Sequence, residues 1–297
     1  MKPVLWFVGL LVAASLVLAS VHLAANTLDS SRYNLGWNGT SRFFSDLDRN
    51  RVTDVTSLAA LGSRRNSLLL IIAPAREYSD KEIPAYRRYL EDGNTIVLAD
   101  DSGLGNGLLM GLGSRIVIQR GPLLSFDREY NDPAMIVVTP VKNASVPGDP
   151  SRMVLNEPGS VEGGEPLLTS SFMSWTDANG NGRIDSSEPL GRHAVLARED
   201  LGKGELLVLA DPSIFINSMY GPEGPGDNRK FISYLVTNSS TVLIDQVNSR
   251  TAGDAGTSLA VHALRKDPVA TFAILAAGVL VIAAVWMRRG RDEGHGG

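Results

Sequence analysis

The most specific chemical pattern in the sequence is a segment that could bind calcium. Residues 177–188 read DANGNGRIDSSE. Oxygen-bearing side chains stand at positions 1, 3, 5, 9 and 12 of the segment, position 6 is glycine, and position 7 can offer its main-chain carbonyl, as calcium loops require. The predicted ligands are Asp177, Asn179, Asn181, Arg183 (through its carbonyl), Asp185 and Glu188. The pattern therefore predicts calcium as a cofactor of this chain.

The residues on either side of this loop favour a structural role for the metal. Phe172–Trp175 has the composition of a strand, and Pro189 with Gly191 opposes a long helix after the loop. A helix pair that opens when calcium binds is therefore not expected. We expect instead a structural clip within a β-rich region, and the alternative is a polar turn that closes a hairpin without metal.

Acidic residues at strand ends form a second group that could do chemistry. Asp100 and Asp101 follow one apolar run, and Asp211 follows another. Carboxylates that meet at one edge of a sheet could serve acid–base or metal chemistry. Aspartates in such places more often cap the turn or helix that follows, and we favour that role here.

The segment Asp100–Gly107 lies where open α/β sheets bind ligands, beyond the carboxyl end of a strand. Its glycines permit tight turns, and an apolar helix begins just after it. No complete glycine pattern for dinucleotides or phosphates is present, so the class of ligand stays open. The residues predicted to line a groove above this edge are Tyr33, Asn34, Asn38, Asp101 and Asn106.

The amino-acid composition excludes several classes of enzyme and argues against one class of partner. The chain has no cysteine, which excludes a cysteine nucleophile and cysteine-bound metals. Its four histidines form no zinc-binding pattern, and Ser102 does not stand in the G-x-S-x-G signature of a nucleophilic serine. The net charge of −4, with no long basic block, argues against nucleic acid as a partner. We assign no catalytic residue and favour a role other than catalysis.

Two apolar strands joined by a helix must position these acids. Leu68–Ala73 and Thr95–Ala99 are continuous apolar runs, and a helix that ends near Asp92 lies between them. This order predicts a right-handed parallel unit. We therefore predict an α/β domain over residues 29–245, with a flavodoxin-like parallel sheet and a β-rich insertion at about 115–200.

Apolar runs near the two ends of the sequence predict membrane spans. Residues 3–25 and 268–287 carry no charged side chain, and each is long enough to cross a bilayer. Lys2 precedes the first run and three arginines within residues 288–291 follow the second, which predicts cytoplasmic termini and an extracellular central domain. A cleaved signal peptide is the alternative for the first run. The remaining predicted segments are a tether at 246–266 and a tail at 288–297.

The polar residues around the apolar runs resemble those of a known family. The residues that carry the resemblance are Ser31, Arg32, Tyr33, Asn34, Gly36, Asn38, Gly39, Pro74, Tyr78, Ser79, Glu82, Gly93, Asn94, Thr95, Asp100, Asp101, Gly105, Asn106, Asp211, Pro212 and Ser213. Residues 30–250 resemble the prokaryotic membrane proteins of the domain-of-unknown-function family numbered 4350. That family is similar to class I glutamine amidotransferase-like folds of flavodoxin type, which implies a parallel sheet covered by helices on both sides. The amidotransferases use a cysteine nucleophile that this chain lacks, so the resemblance implies the fold without that activity.

These patterns together predict an anchored exterior domain that binds a ligand or a partner without catalysis, with complex assembly as one form of that role. The expected partners are the lipid bilayer and other membrane or envelope proteins. Two alternatives stay open. One is a hydrolase that depends on metal or carboxylates, and the other is a purely structural component of the cell envelope.

Overall fold

The apolar run Ser67–Ile72 forms the central strand of a sheet, with all six of its residues buried. In this computed structural model, the described residues are 9, 15, 26–47, 51–62, 64–127 and 129–253. Nearly all of them belong to one compact unit, Thr27–Gly253. The strands of the described residues are β1 (Val52–Val55), β2 (Ser67–Ile72), β3 (Thr95–Ala99), β4 (Val117–Gln119), β5 (Leu123–Ser125), β6 (Met135–Pro140), β7 (Met153–Asn156), β8 (Ser160–Glu162), β9 (Glu165–Ser170), β10 (Ser174–Thr176), β11 (Ala194–Leu201), β12 (Gly204–Leu209) and β13 (Thr241–Asp245).

The helices of the same residues are short. They are α1 (Ser41–Asp46), α2 (Ile83–Glu91), α3 (Asn106–Leu112), α4 (Asn217–Tyr220) and α5 (Asn228–Asn238), with single 3-10 turns at Leu58–Leu61, Pro212–Phe215 and Arg250–Ala252.

Most strands join one mixed sheet, which has a parallel half and an antiparallel half. Within the described residues the sheet has eleven strands, in the order β1-β13-β2-β3-β12-β11-β9-β6-β7, and β8 pairs with both β11 and β4. The pairings from β1 to β12 are parallel, and those from β12 to β7 are antiparallel. We call β1, β13, β2, β3 and β12 the parallel half, and the other six strands the antiparallel half. The small remaining sheet pairs β5 with β10.

Both faces of the parallel half are buried, because alternate side chains of each strand enter two different cores. Leu68 and Leu70 of β2 pack on one face with side chains of α1 and α5. Leu69 and Ile71 pack on the other face with side chains of α2 and α3. A strand that is buried on both faces requires a continuous apolar run. Burial of each such side chain stabilises the fold by about 1.5–3 kcal/mol.

A hydrogen-bonded turn precedes helix α2. The Glu82 carboxylate accepts the main-chain N–H of Ser79 at 2.8 Å and pairs with the Arg76 guanidinium at 2.5 Å. The hydrogen bond from Arg76 is the main cause that lowers the pKa of Glu82 to about 2. Pro84 lies in the first turn of the helix, where an intrahelical N–H donor is not needed. The capping sequence therefore forms just ahead of the helix.

The predicted flavodoxin-like parallel sheet, with its separate insertion, is wrong. The sheet is mixed, few helices accompany it, and most strands of residues 115–200 extend the same sheet. The hairpin β11–β12 is the physical reason. β12 pairs in parallel with β3 on one side and antiparallel with β11 on the other, so a single buried strand joins the two halves.

The prediction of two transmembrane helices, with the membrane localisation built on it, is not supported. The predicted spans at 3–25 and 268–287 lie outside the described residues, apart from Gly9 and Ser15. Among the residues that are described, no helix combines the length and the apolar character needed to cross a membrane. Asn228–Asn238, the longest of them, has 11 residues, whereas a span needs about 20. The assignments of cytoplasmic termini and an extracellular domain lose their basis.

Candidate functional site

The first and last acids of the predicted calcium loop bind the loop's own backbone. The Asp177 carboxylate accepts the main-chain N–H groups of Asn181 at 3.1 Å and Gly182 at 2.7 Å. The Glu188 carboxylate accepts those of Asp185 at 3.2 Å and of Ala178 at 2.8 Å, and the second of these bonds joins the two ends of the loop. Gly182 has a φ of +70°, which glycine adopts without strain. These contacts curl the segment so that its two ends approach each other.

Three other predicted ligands meet on the exposed side of this loop. The Asp185 carboxylate accepts the side-chain amides of Asn179 at 2.6 Å and Asn181 at 3.1 Å. By contrast, Asp177 and Glu188 are only 3% and 4% exposed. Within the described residues, no three carboxylate or imidazole groups are gathered closely enough to hold a metal ion. To bind a cation, the two asparagines must therefore turn their amide oxygens inward.

Both ends of the loop are tied to the small β5–β10 sheet. The main-chain N–H of Asp177 donates to the carbonyl of Pro122 at 2.9 Å, and that of Gly191 donates to the carbonyl of Ser174 at 2.9 Å. The loop therefore closes a hairpin-like excursion, which is the place expected for a structural clip. The predicted carbonyl ligand, Arg183, lies in the exposed part of the loop.

The strand-end acids meet at the carboxyl edge of the parallel half, and two of them hold turns. The Asp100 carboxylate accepts the main-chain N–H groups of Ser102 at 2.8 Å and Gly105 at 2.7 Å. The Asp211 carboxylate accepts those of Asn156 at 2.8 Å and Ser213 at 2.6 Å. The structure thus gives both residues the capping role.

Asp101 differs from these two, because no other residue of the described part donates a hydrogen bond to its carboxylate. Burial, reinforced by the neighbouring Asp100, raises the pKa of Asp101 to about 6. Burial also raises the pKa of Asp211 to about 7, and Asp101 adds to that increase. Asp101 and Asp211 therefore change charge near neutral pH, which is a requirement of acid–base chemistry.

A fourth strand-end acid, the buried Asp245, lies at the end of β13 on the same edge and was not predicted. Its carboxylate accepts the Tyr86 hydroxyl at 2.7 Å, and burial raises its pKa. Beside it lie the Tyr78 hydroxyl and the Asn248 side-chain oxygen, two buried atoms with no hydrogen-bond partner in the described part of the chain. Asp245 directly follows an apolar run, as the other strand-end acids do, so the same sequence rule could have found it.

Three of the five predicted groove residues, Tyr33, Asn34 and Asn38, lie together in the loop before α1. The Asn34 amide donates to the side-chain oxygen of Asn38 at 2.9 Å. Asn217 of α4 donates to the main-chain carbonyls of Asn34 at 3.2 Å and Gly36 at 2.6 Å. The two asparagines and Asn217 therefore shape this loop, and Tyr33 is half-buried beside them.

The other two predicted groove residues, Asp101 and Asn106, lie at the carboxyl edge. The Asn106 side chain donates to the carbonyl of Ile118 at 2.8 Å and accepts the N–H of the same residue at 2.9 Å. These bonds attach the start of α3 to β4 and use both polar atoms of the side chain. Asp101 is then the predicted residue of this edge whose polar atoms stay available.

A cavity of about 430 Å³ lies elsewhere, between α1, α4 and the start of α5. No local pattern in the sequence predicts this cavity, because its walls come from segments more than 170 residues apart. Asn217, which joins them, is 3% exposed and accepts the main-chain N–H of Arg42 at 2.8 Å. A single asparagine with distant partners has no local sequence signal.

Comparison with known proteins places the chain in a family. A family profile described as "Domain of unknown function (DUF4350)" matches residues 32–236, well over half of the chain, and the chain therefore belongs to that family. No curated protein matches it.

Similar solved structures are distant. One is the "mmIFT52 N-terminal domain", with 16% identity, coverage of 68% of this chain and 88% of that one, and a TM-score of 0.47. Another is the β-galactosidase of Bacillus circulans sp. alkalophilus, with 12% identity, coverage of 58% and 22%, and a TM-score of 0.36. A third is the β-galactosidase of the Antarctic haloarchaeon Halorubrum lacusprofundi, with 11% identity, coverage of 52% and 20%, and a TM-score of 0.34. The chain thus spans about a fifth of either β-galactosidase.

Proposed function

We propose that this chain is a non-catalytic binding domain in which the loop Asp177–Glu188 takes up calcium as a structural clip. The observation that carries the proposal is the loop itself: oxygen-bearing side chains stand at the positions that a calcium loop requires, on a curled backbone whose ends are fixed. The cation would replace hydrogen bonds that now join Asp185 to Asn179 and Asn181. The resemblance to amidotransferase-like domains belongs to this proposal, as a related fold that lacks the cysteine nucleophile.

The donor set fits calcium better than other common metals. Carboxylate, amide and carbonyl oxygens are hard ligands, and no cysteine or histidine stands in the loop. Calcium accepts six to eight oxygens in flexible geometry, so it tolerates a loop that must adjust its asparagines. The exposed position of three ligands favours the weaker class of calcium site, with a Kd of about 10⁻⁴–10⁻³ M.

Isothermal titration and thermal unfolding test the calcium site directly. At 10 mM calcium, a Kd in that range stabilises the fold by about 1.5–3 kcal/mol, and magnesium should have a smaller effect. Asp177→Ala should abolish both the heat of binding and the stabilisation. Asp185→Asn keeps the exposed side-chain shape but removes a charge, so it should weaken binding with little change in apo stability.

Asp200→Asn provides the matched control, because Asp200 is an exposed acid of β11 outside the loop. It should bind calcium as the parent protein does. Equal calcium binding by the parent and Asp177→Ala, with both folded, would contradict the proposal, as would the absence of any calcium response in the parent.

The non-catalytic part of the proposal is supported by the way the strand-end acids are used. Asp100, Asp211 and Asp245 each accept main-chain N–H groups that hold adjoining turns. Carboxylates held in this way are less available to a substrate than unbound ones.

A hydrolase is the second candidate, favoured by the raised pKa values of Asp101 and Asp211 and by the unbound carboxylate of Asp101. Hydrolysis of a panel of ester and glycoside substrates, followed across pH 4–9, separates the two candidates. A rate that depends on a group with a pKa near 6 and that Asp101→Asn abolishes would establish the hydrolase. A rate no greater than that of buffer supports binding without catalysis.

A further inference from the structure

The cavity between α1, α4 and α5 has the dimensions of a small-molecule site. Its volume is about 430 Å³, within the range of about 300–1,000 Å³ that is usual for ligand pockets. The residues that matter for its chemistry are Arg42, Asp46, Tyr220, Pro222, Glu223 and Arg229. It lies outside both the calcium loop and the carboxyl edge of the sheet.

The two arginines of the cavity are in different electrostatic states. Arg229 is neutralised, because its guanidinium pairs with the Asp46 carboxylate at 2.9 Å. It also lies 5.5 Å from the centre of the Tyr220 ring, and the Tyr220 hydroxyl donates to Asp46 at 3.3 Å. Asp46 is therefore occupied by two donors and offers little to a ligand cation.

Arg42 has no such partner. Its Nη1 donates to the main-chain carbonyl of Asn217 at 3.3 Å, and among the described residues no carboxylate lies within 4 Å of its guanidinium. A guanidinium has five N–H donors in a planar fork, so most of the donors of Arg42 are available. Arg42 is exposed where it lines the cavity, and a guanidinium without a carboxylate partner favours an anion that can accept two of its N–H donors at once.

The local fold holds Arg42 in this place. Its main-chain N–H donates to the Asn217 side chain at 2.8 Å, which fixes the first turn of α1 against α4. At Gly221, a Cβ atom would lie 2.5 Å from Nη1 of Arg42 and 2.9 Å from the main-chain carbonyl oxygen of Asn217. Glycine at this position therefore leaves the space that the guanidinium occupies.

The rest of the lining selects among anions. Tyr220 and Pro222 supply carbon surface, and the exposed Glu223 at the rim can accept hydrogen bonds from hydroxyl or ammonium groups. A fully ionised inorganic anion has no donor to offer Glu223, so it would gain nothing from that carboxylate. We propose that this cavity binds a small hydroxy or amino carboxylate, with its carboxylate on Arg42 and its donors toward Glu223. The proposal names a ligand for the binding role proposed above, and so rests on it.

Titration of the full chain with gluconate and with L-glutamate, followed by calorimetry, tests the assignment. One or both should bind with millimolar affinity or better, while glucose, which lacks the carboxylate, should bind at least tenfold more weakly. Arg42→Gln should weaken binding at least tenfold. Arg88→Gln, an exposed arginine of α2, is the control and should leave binding unchanged.

Arg42→Lys provides a second variant, because it keeps the positive charge at this position but removes the planar fork of donors. It should weaken binding as well, with folding checked by circular dichroism. No binding of either carboxylate at 10 mM would overturn the proposal, as would equal binding by Arg42→Gln or tighter binding of inorganic phosphate. A peptide whose free C-terminal carboxylate binds more tightly than both small probes, and whose amidated form does not, would overturn the small-molecule assignment. Calcium titration reports on the loop alone, so failure there is distinguishable from failure here.

Discussion

The two halves of the sheet present their chemistry in different ways. In the parallel half, four strand-end acids lie at one edge: Asp100, Asp211 and Asp245 are buried and hold turns, and Asp101 is half-buried. The loop proposed to bind calcium lies between β10 and β11; the side chains of its predicted ligands Asn179, Asn181 and Asp185 are exposed, and it is tied to the rest of the fold at its ends. Groups built into the core change the stability of the fold when their charge changes. Groups on an exposed loop can change partners while the core stays intact.

The largest expected effect concerns packing in the parallel half. Leu70→Ala removes a fully buried side chain from the central strand, and should lower the free energy of unfolding by about 2–5 kcal/mol. Val137→Ala in β6 of the antiparallel half removes a half-buried side chain and should cost about 1 kcal/mol or less. Urea denaturation measures both, and equal losses would show that the halves are equally packed.

The second effect concerns pH and the buried Asp211. Its pKa is raised from 3.8 to about 7 on folding, so the folded state binds the proton more tightly than the unfolded state. The contribution of protonated Asp211 to the free energy of unfolding is fully present below about pH 4. It is lost as pH rises through 7, which lowers the free energy of unfolding by about 3–4 kcal/mol. Asp211→Asn cannot titrate, so its unfolding free energy should fall less between pH 4.5 and pH 8 than that of the parent.

Asp101→Asn sharpens this test. The pKa of Asp101 is raised to about 6, which is a smaller shift than that of Asp211. Its replacement should therefore remove a smaller part of the dependence of the unfolding free energy on pH. If the unfolding free energy of both variants depended on pH as that of the parent does, these acids would titrate alike in the folded and unfolded states.

The third effect concerns Glu82, whose contribution to stability depends on pH in the opposite sense to that of Asp211. The pKa of Glu82 is lowered to about 2, chiefly by Arg76, so its contribution is present above the unfolded value near 4.5 and is lost as pH falls through 2. Glu82→Gln should cost about 1–2 kcal/mol at pH 7, less than the full shift because Arg76 is half-exposed. The difference from the parent should disappear near pH 2, and chemical denaturation at the two pH values measures it.

The smallest effect is expected at an ion pair of the antiparallel half. Arg198 of β11 pairs with Glu165 of β9 at 2.7 Å, and the Glu165 side chain is 54% exposed. Solvent screens such a pair, so Arg198→Gln should cost less than about 1 kcal/mol, with a loss that shrinks in 1 M salt. A loss as large as that of Leu70→Ala would mean that the cross-strand pair, and not the apolar core, holds this half together.

The same contrast explains which elements the sequence predicts. Thr95–Ala99 was predicted as a strand and is β3, because a strand buried on both faces must be apolar throughout. Gly202 and Gly204 likewise mark the turn of the hairpin β11–β12, in which Leu201 lies opposite Gly204. By contrast, β9 (Glu165–Ser170) contains a proline and two exposed residues, so it has no such pattern and was missed. Local composition does not determine which strand a given strand pairs with, so the mixed sheet could not be predicted from the sequence.

The candidate sites divide along similar lines. The calcium pattern is contiguous, so the sequence alone could propose its ligands residue by residue, and the strand-end acids follow a simple positional rule. The cavity near Arg42 depends on segments that meet only after folding. Asn34 and Asn38 were predicted as ligand-binding residues, yet the structure shows their side chains in the hydrogen bonds that shape their own loop. The sequence does not show whether a polar side chain in a loop forms hydrogen bonds with a ligand or with the chain itself.

The clamp that Asn217 makes on the loop before α1 also sets an order of events during synthesis. The bonds from Asn217 reach carbonyls that left the ribosome 183 and 181 residues earlier, and β1 finds its neighbour β13 only after a comparable interval. Contacts of such long range slow folding, and the N-terminal segments have no partners until the later segments are synthesised. The first part of the nascent domain must therefore remain open, and accessible to chaperones, until almost the whole domain has emerged.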